Sequence, residues 1–130
     1  MKTLIVDDEP LDLLVLQDLM ENYGSVRFST GGREAIDAVR GAREEGAAFD
    51  LVCLDMIMPG VDGREALKAI RAEEETAGIL LGDGVKIIMT TGQRGPKTIV
   101  ESFRNACDGY VIKPVEKEKM HEELKVLQLI

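Results

Sequence analysis

Five short apolar runs, each closed by a polar or acidic residue and followed by a helical pattern, limit what this chain can become. The runs cover 2–6, 26–29, 51–54, 85–89 and 108–112, and they end at Asp7-Asp8, Thr30, Asp55, Thr90-Thr91 and Lys113-Pro114. Strict alternation of strand and helix implies a parallel sheet with helices on both faces and right-handed crossovers. Parallel strands all point one way, so their carboxyl ends share one edge, where open α/β sheets bind ligands. That edge collects Asp7, Asp8, Asp55, Thr91 and Lys113. The central run, Leu51-Val52-Cys53-Leu54, is uniformly apolar, as a strand buried on both faces should be, and stops at Asp55 before the turn residues Pro59-Gly60 and Asp62-Gly63. A carboxylate at such a position costs stability unless it is paired or holds a metal; the plainer reading is that Asp55 caps the following loop.

The helical segments carry their own expectations. Pro10 suits a first-turn position, and Leu11, Leu14, Val15 and Leu19 form a stripe that Leu13, Leu16 and Met20 widen, which predicts a well-buried first helix. The second helix, over 33–45, presents Ala35, Ile36, Val39 and Ala42, and the third presents Ala66, Leu67 and Ile70. The charged run 71–75 reads as a solvated face. The connection 76–84 is long for a compact α/β unit, and its Ile79-Leu80-Leu81 should cover the amino edge of the sheet, with a partner-docking patch as the lesser reading. A fourth helix starts at Pro96 with Ile99, Val100, Phe103 and Ala106, and a last one, from about 116, carries Met120, Leu124 and Leu127.

Several function classes fall away. With 130 residues the chain has one domain's worth of core, and a net charge of −8 argues against direct nucleic-acid binding while suiting metal or basic partners. No apolar run approaches a membrane span, and the first residues are too short for a secretory signal, so a cytoplasmic location is expected. Cys53 and Cys107 lack metal or redox spacing and read as small buried hydrophobes. Neither a phosphate-binding glycine loop nor a dinucleotide fingerprint is present, and the sole histidine, His121, reads as a surface or packing residue.

What remains is the strand-end edge. Converging carboxylates repel, and a hard divalent cation such as Mg²⁺ removes the conflict. Lys113 is a point charge suited to a phosphoryl oxygen or to Asp55, Thr91 supplies a hydroxyl, and Gly92 leaves room for close approach. An acid nucleophile, a metal clamp, a cation and a hydroxyl are the parts for in-line phosphoryl transfer onto an aspartate.

Asp7-Asp8, Asp55-Met56-Ile57-Met58-Pro59-Gly60 with Asp62-Gly63, Thr91-Gly92 and Tyr110-Val111-Ile112-Lys113-Pro114, in this order along the whole chain, resemble a receiver domain of two-component response regulators, of the stand-alone chemotaxis-regulator type. The resemblance implies a flavodoxin-like (βα)5 fold with a five-stranded parallel sheet in the order 2-1-3-4-5, the order cited for this family's chemotaxis member. It implies that Asp55 is the phosphoacceptor. Asp8, Asp55 and the backbone carbonyl of Ile57 would ligate Mg²⁺, or Mn²⁺ in its place, with Asp7 acting through water. Lys113 and Thr91 would bind phosphoryl oxygens. Tyr110 would change rotamer with Thr91 and remodel the face made by the fourth helix, the fifth strand and the last helix; an edge aromatic with its hydroxyl in water is the plainer reading of Tyr110. Thr90 is expected to point into the sheet, and the Lys113–Pro114 peptide is expected to be cis. Ile57 and Gln93 occupy positions that vary in the family and tune hydrolysis.

The partners implied are a sensor histidine kinase or histidine phosphotransfer protein and a downstream protein target, with no nucleic acid and no membrane insertion. Residues 1–130 would form a single receiver domain without an output domain, a phosphoacceptor that catalyses its own phosphorylation and dephosphorylation and is not otherwise an enzyme. Two competing readings stay open. A phosphatase with an aspartate nucleophile would share metal and acid, but usually carries an Asp-x-Asp after the first strand and a cap. A pseudo-receiver that binds constitutively would normally lack one of the acids, the threonine or the lysine.

Overall fold

The computed structural model describes residues 1–92 and 106–130, so the expected fourth helix and Gln93 lie outside the described residues. The elements are β1 (Lys2–Val6), α1 (Pro10–Met20) with a terminal 3-10 turn (Glu21–Tyr23), β2 (Ser25–Ser29), α2 (Gly32–Glu44), β3 (Leu51–Asp55), α3 (Gly63–Thr76), β4 (Lys86–Thr91), β5 (Gly109–Ile112) and a C-terminal helix α4 (Lys117–Val126). All neighbouring strands pair in parallel, in the order β2-β1-β3-β4-β5, as the resemblance implied. The central β3 is buried along its whole length, which explains its unbroken apolar run.

Alternation along the strands splits the core in two. Leu4, Val6, Val52, Leu54, Ile87 and Met89 pack with Ala35, Ile36 and Val39 of α2 and Ala66, Leu67 and Ile70 of α3. Ile5, Leu51, Cys53, Ile88 and Val111 pack with Leu16, Leu19 and Met20 of α1 and Met120 and Leu124 of α4. Both cysteines are buried thiols, and burial pushes Cys53 up to about 12. His121 is a packing residue: its Nδ1 lies 2.9 Å from the Tyr23 hydroxyl and ties α4 to the end of α1.

Three expectations are corrected. On α1, the inward face is Leu16, Leu19 and Met20, while Leu11 (75% exposed), Leu14 (60%) and Val15 (48%) face solvent. The helix is apolar on opposite sides, and only one side can lie on the sheet. The run 71–75 is not wholly a solvated face. Arg71 donates to the carbonyls of Ala106 (2.7 Å) and Val85 (2.8 Å), to Glu74 (2.8 Å) and to Asp108 (2.9 Å). Glu74 is buried and accepts from the Val85 N–H, while Asp108 accepts from the Ile87 N–H. This network joins α3 to the entries of β4 and β5 and closes the amino edge that Ile79-Leu80-Leu81 was expected to cover. With the edge already closed, Leu80 (73%) and Leu81 (87%) stand in solvent and only Ile79 is half-buried.

Candidate functional site

Four of the five strands, β1, β3, β4 and β5, deliver functional groups to the carboxyl edge. Asp7 follows β1 and is fully buried. Its Oδ1 accepts the Glu9 N–H at 2.9 Å, fixing the turn into α1, and its Oδ2 accepts from Lys113 Nζ at 2.7 Å. Asp8, half-buried, is next in the chain. Asp55 ends β3 and is also buried. Beyond it the chain doubles back: the Met56 N–H donates to Thr90 O (2.9 Å) and the Met56 carbonyl accepts from Gly63 N–H (3.1 Å). That approach demands glycine, since a Cβ at Gly63 would overlap the Asp55 carbonyl oxygen. Asp62 caps α3 by accepting from the N–H groups of Arg64 (3.0 Å) and Glu65 (3.1 Å). Partial burial would raise its carboxyl, but these bonds and the Arg64 guanidinium outweigh it and hold the group below its ordinary value. Met56 and Met58 anchor the loop in the core, leaving Ile57 between them 54% exposed.

Lys113 closes the site from β5. Its N–H donates to the Thr91 carbonyl at 2.7 Å, its peptide bond to Pro114 is cis, as the resemblance implied, and its ammonium lies among three carboxylates. The distances from Nζ are 2.7 Å to Asp7, 2.9 Å to Asp12 and 3.3 Å to Asp55. Burial alone would lower the Lys113 pKa; the hydrogen bonds to Asp7 and Asp12, with the charge of Asp55, outweigh it and raise it, so the group is a fixed cation. Asp55 moves the other way from an ordinary acid. Burial, aided by the charge of Asp7, pushes it up to about 6 against the opposing pull of Lys113 and the Ile57 N–H.

One carboxylate oxygen from each of Asp7, Asp8 and Asp55 lies within 4.8 Å of the others. The spacing and the all-oxygen donor set fit a hard divalent cation, and three carboxylates beside a single lysine leave negative charge for it to offset. Thr91 is buried at the end of β4, in register with Ile112. Thr90, fully buried and in register with Asp55, has a hydroxyl without a hydrogen-bond partner among the described residues. Tyr110 is half-buried against the α2–α3 side of the core. The geometry thus brings Asp7, Asp8, Asp55, Thr91 and Lys113 to one edge and sets Ile57 at its rim; Gln93 is outside the described residues.

The sequence reading missed Asp12. Its signal was local: with α1 opening at Pro10, Asp12 lies in the first turn, a few residues beyond the Asp7-Asp8 pair that follows β1.

The comparisons agree with this geometry. Residues 3–125 match the response regulator receiver domain. The sensor protein GacS of Pseudomonas syringae is 34% identical over 120 residues, covering 92% of this chain and 12% of that protein. The transcriptional regulatory protein CitT of Halalkalibacterium halodurans is 32% identical over 127 residues, covering 95% of this chain and 50% of that protein. The chain therefore spans half or less of the length of these curated relatives. Among solved structures, the Vibrio cholerae chemotaxis protein CheY4 superposes with a TM-score of 0.77 at 26% identity, covering 97% of each chain. The receiver domain of the Arabidopsis thaliana histidine kinase CKI1, complexed with Mg²⁺ and BeF3⁻, superposes at 0.80 with 23% identity over 99% of this chain and 90% of that one. With the site geometry and a family match across nearly its whole length, the chain belongs to the response regulator receiver domain family.

Proposed function

We propose that the chain is a phosphorylatable switch in which Asp55 accepts a phosphoryl group from a phosphohistidine on a sensor kinase or histidine phosphotransfer protein. The observation that carries this reading is the group of three carboxylates, one oxygen from each within 4.8 Å of the others, with a permanently charged lysine in contact with two of them. A carboxylate oxygen of Asp55 attacks the phosphorus in line, the phosphorus–nitrogen bond to the donor imidazole breaks, and the electron pair leaves with that nitrogen. Asp8, Asp55 and the Ile57 carbonyl, with Asp7 beside them, would hold Mg²⁺, which would supply positive charge against the negative charge developing on oxygen. Lys113 offsets charge on a transferred oxygen, and Thr91 donates its hydroxyl to another. In the resting site Lys113 and the Ile57 N–H keep the nucleophile deprotonated near neutral pH against the burial that opposes it.

The donor is a macromolecule in this reading, and α1 suits it. Leu11, Leu14 and Val15 form an exposed apolar strip beginning one residue before Asp12, itself in contact with Lys113. A helix of the donor laid on that strip would carry its phosphohistidine to Asp55. Output runs through Tyr110 and the β5–α4 side to a downstream protein. The protein acts in the cytoplasm and is no enzyme beyond turning over its own acyl phosphate.

The test is incubation with acetyl phosphate and Mg²⁺ followed by intact mass measurement. One phosphoryl group is expected on the wild type, none in chelator, and none on Asp55→Asn. An adduct that survives in Asp55→Asn refutes the acceptor assignment.

A further inference from the structure

We propose that Asp12 is a positioning residue for Lys113, a resident anion that the phosphoryl group must displace; the inference rests on the acceptor reading of Asp55. An ammonium has three donors. In this site they face Asp7 at 2.7 Å, Asp12 at 2.9 Å and Asp55 at 3.3 Å, so Lys113 leans away from the acceptor and toward α1. Once Asp55 carries a phosphoryl group, its oxygens take over the Asp55 claim with more charge and draw Nζ from the carboxylates it now lies nearest, and the less firmly held of those two yields first. Asp7 is fully enclosed, and its other oxygen is held by the Glu9 N–H. The Asp12 side chain is 36% exposed and sits in the first turn of α1, where water and the amino end of the helix can receive its charge. Asp12 is therefore the group released. It acts twice against the occupied state: it holds the cation back, and after release it remains a negative charge beside a phosphoryl group of about −2.

This assigns a sign. Removing the Asp12 charge should favour the occupied site by about threefold to tenfold, the size expected for one part-exposed charge near another. The probe is beryllofluoride, a tetrahedral anion, titrated at saturating Mg²⁺ against wild type, Asp12→Asn, Asp12→Gln, Asp12→Glu and Asp18→Asn. Asp18 is an exposed acid on the same helix, and its variant carries the same change in net charge. The two neutral Asp12 variants should bind tighter by that factor, Asp12→Glu should return to wild type, and Asp18→Asn should not move. A second readout needs no phosphoryl chemistry: in metal-free protein, the NMR signal of the Lys113 ε-methylene should shift in Asp12→Asn and not in Asp18→Asn. Equal or weaker binding by Asp12→Asn and Asp12→Gln, failure of Asp12→Glu to restore wild type, or an unmoved ε-methylene overturns the role of Asp12 while leaving Asp55 as acceptor. Absence of binding by every protein, wild type included, overturns the acceptor reading and this inference with it.

Discussion

Asp55→Asn should make the metal-free protein more stable, and the gain should depend on pH in a direction the site dictates. Asp55 lies in the folded protein with its pKa pushed up from 3.8 to about 6, by burial first and by the charge of Asp7. As pH rises through the lower value, the unfolded chain releases this proton while the folded chain still holds it. Stability therefore falls between pH 4 and 6 and stays lower above that window. The shift corresponds to about 3 kcal/mol at pH 8, which asparagine does not incur. For a chain of 130 residues this is a rise in Tm of about 10 °C. Thermal unfolding of both proteins in chelator, at steps from pH 4 to 8, should give matching curves at pH 4 that diverge to a plateau above pH 6. Adding Mg²⁺ at pH 8 should narrow the gap, because the cation stabilises only the protein that carries all three acids. An Asp55→Asn protein no more stable than wild type at pH 8 in chelator would refute the claim that burial and like charge strain this edge.

Three further outcomes follow from named contacts. Arg71→Ala leaves Glu74 buried without its cation and should cost about 3 kcal/mol in urea unfolding, with Arg71→Lys recovering only part, since one ammonium cannot serve four acceptors. Leu11→Ser/Leu14→Ser should leave stability within about 0.5 kcal/mol and leave labelling by acetyl phosphate unchanged, because both side chains face solvent, yet slow phosphotransfer from a phosphorylated histidine protein. Ile57→Asn should shorten the lifetime of the acyl phosphate by about tenfold, read by the decay of the mass adduct, since an apolar side chain at the rim cannot orient the attacking water and its bulk shields the path.

Much of this was legible in the sequence because strands advertise themselves locally. β1 matched its expected limits of 2–6, and β3 was marked by an uninterrupted apolar run with an acid at its end. Parallel pairing then placed Asp7, Asp55, Thr91 and Lys113 on one edge with no knowledge of strand order. The helix faces were harder. On α1, periodicity fitted two opposite sides equally well over its first two turns. The tie-breaker was available further along: the solvent side runs from Leu11, Leu14 and Val15 into Asp18, while the core side continues from Leu13 and Leu16 through Met20 to Tyr23, and Tyr23 does pack against that core. A stripe must be followed to the end of its helix before it is assigned to the core.

The buried charges were the least legible part, for a physical reason. An apolar residue is buried on its own account, whereas a charged residue is buried only on account of its partners, and partners are distant in sequence. Arg71 finds Asp108 thirty-seven residues away, and Lys113 finds Asp7 and Asp12 at separations of 106 and 101. The run 71–75 therefore looks like ordinary helix surface until the sheet brings the entries of β4 and β5 beneath it. The same logic separates the two charged systems. At the amino edge, Arg71 serves fixed backbone carbonyls and two carboxylates that in turn accept backbone N–H groups, so every member has a single best arrangement and the network holds the fold. At the carboxyl edge, one ammonium is shared among three carboxylates, and it lies nearer to Asp7 and Asp12 than to Asp55. A site with more acceptors than donors can redistribute its cation when a new anion arrives, and under the proposed function that surplus would couple a covalent change at Asp55 to β5 and α1.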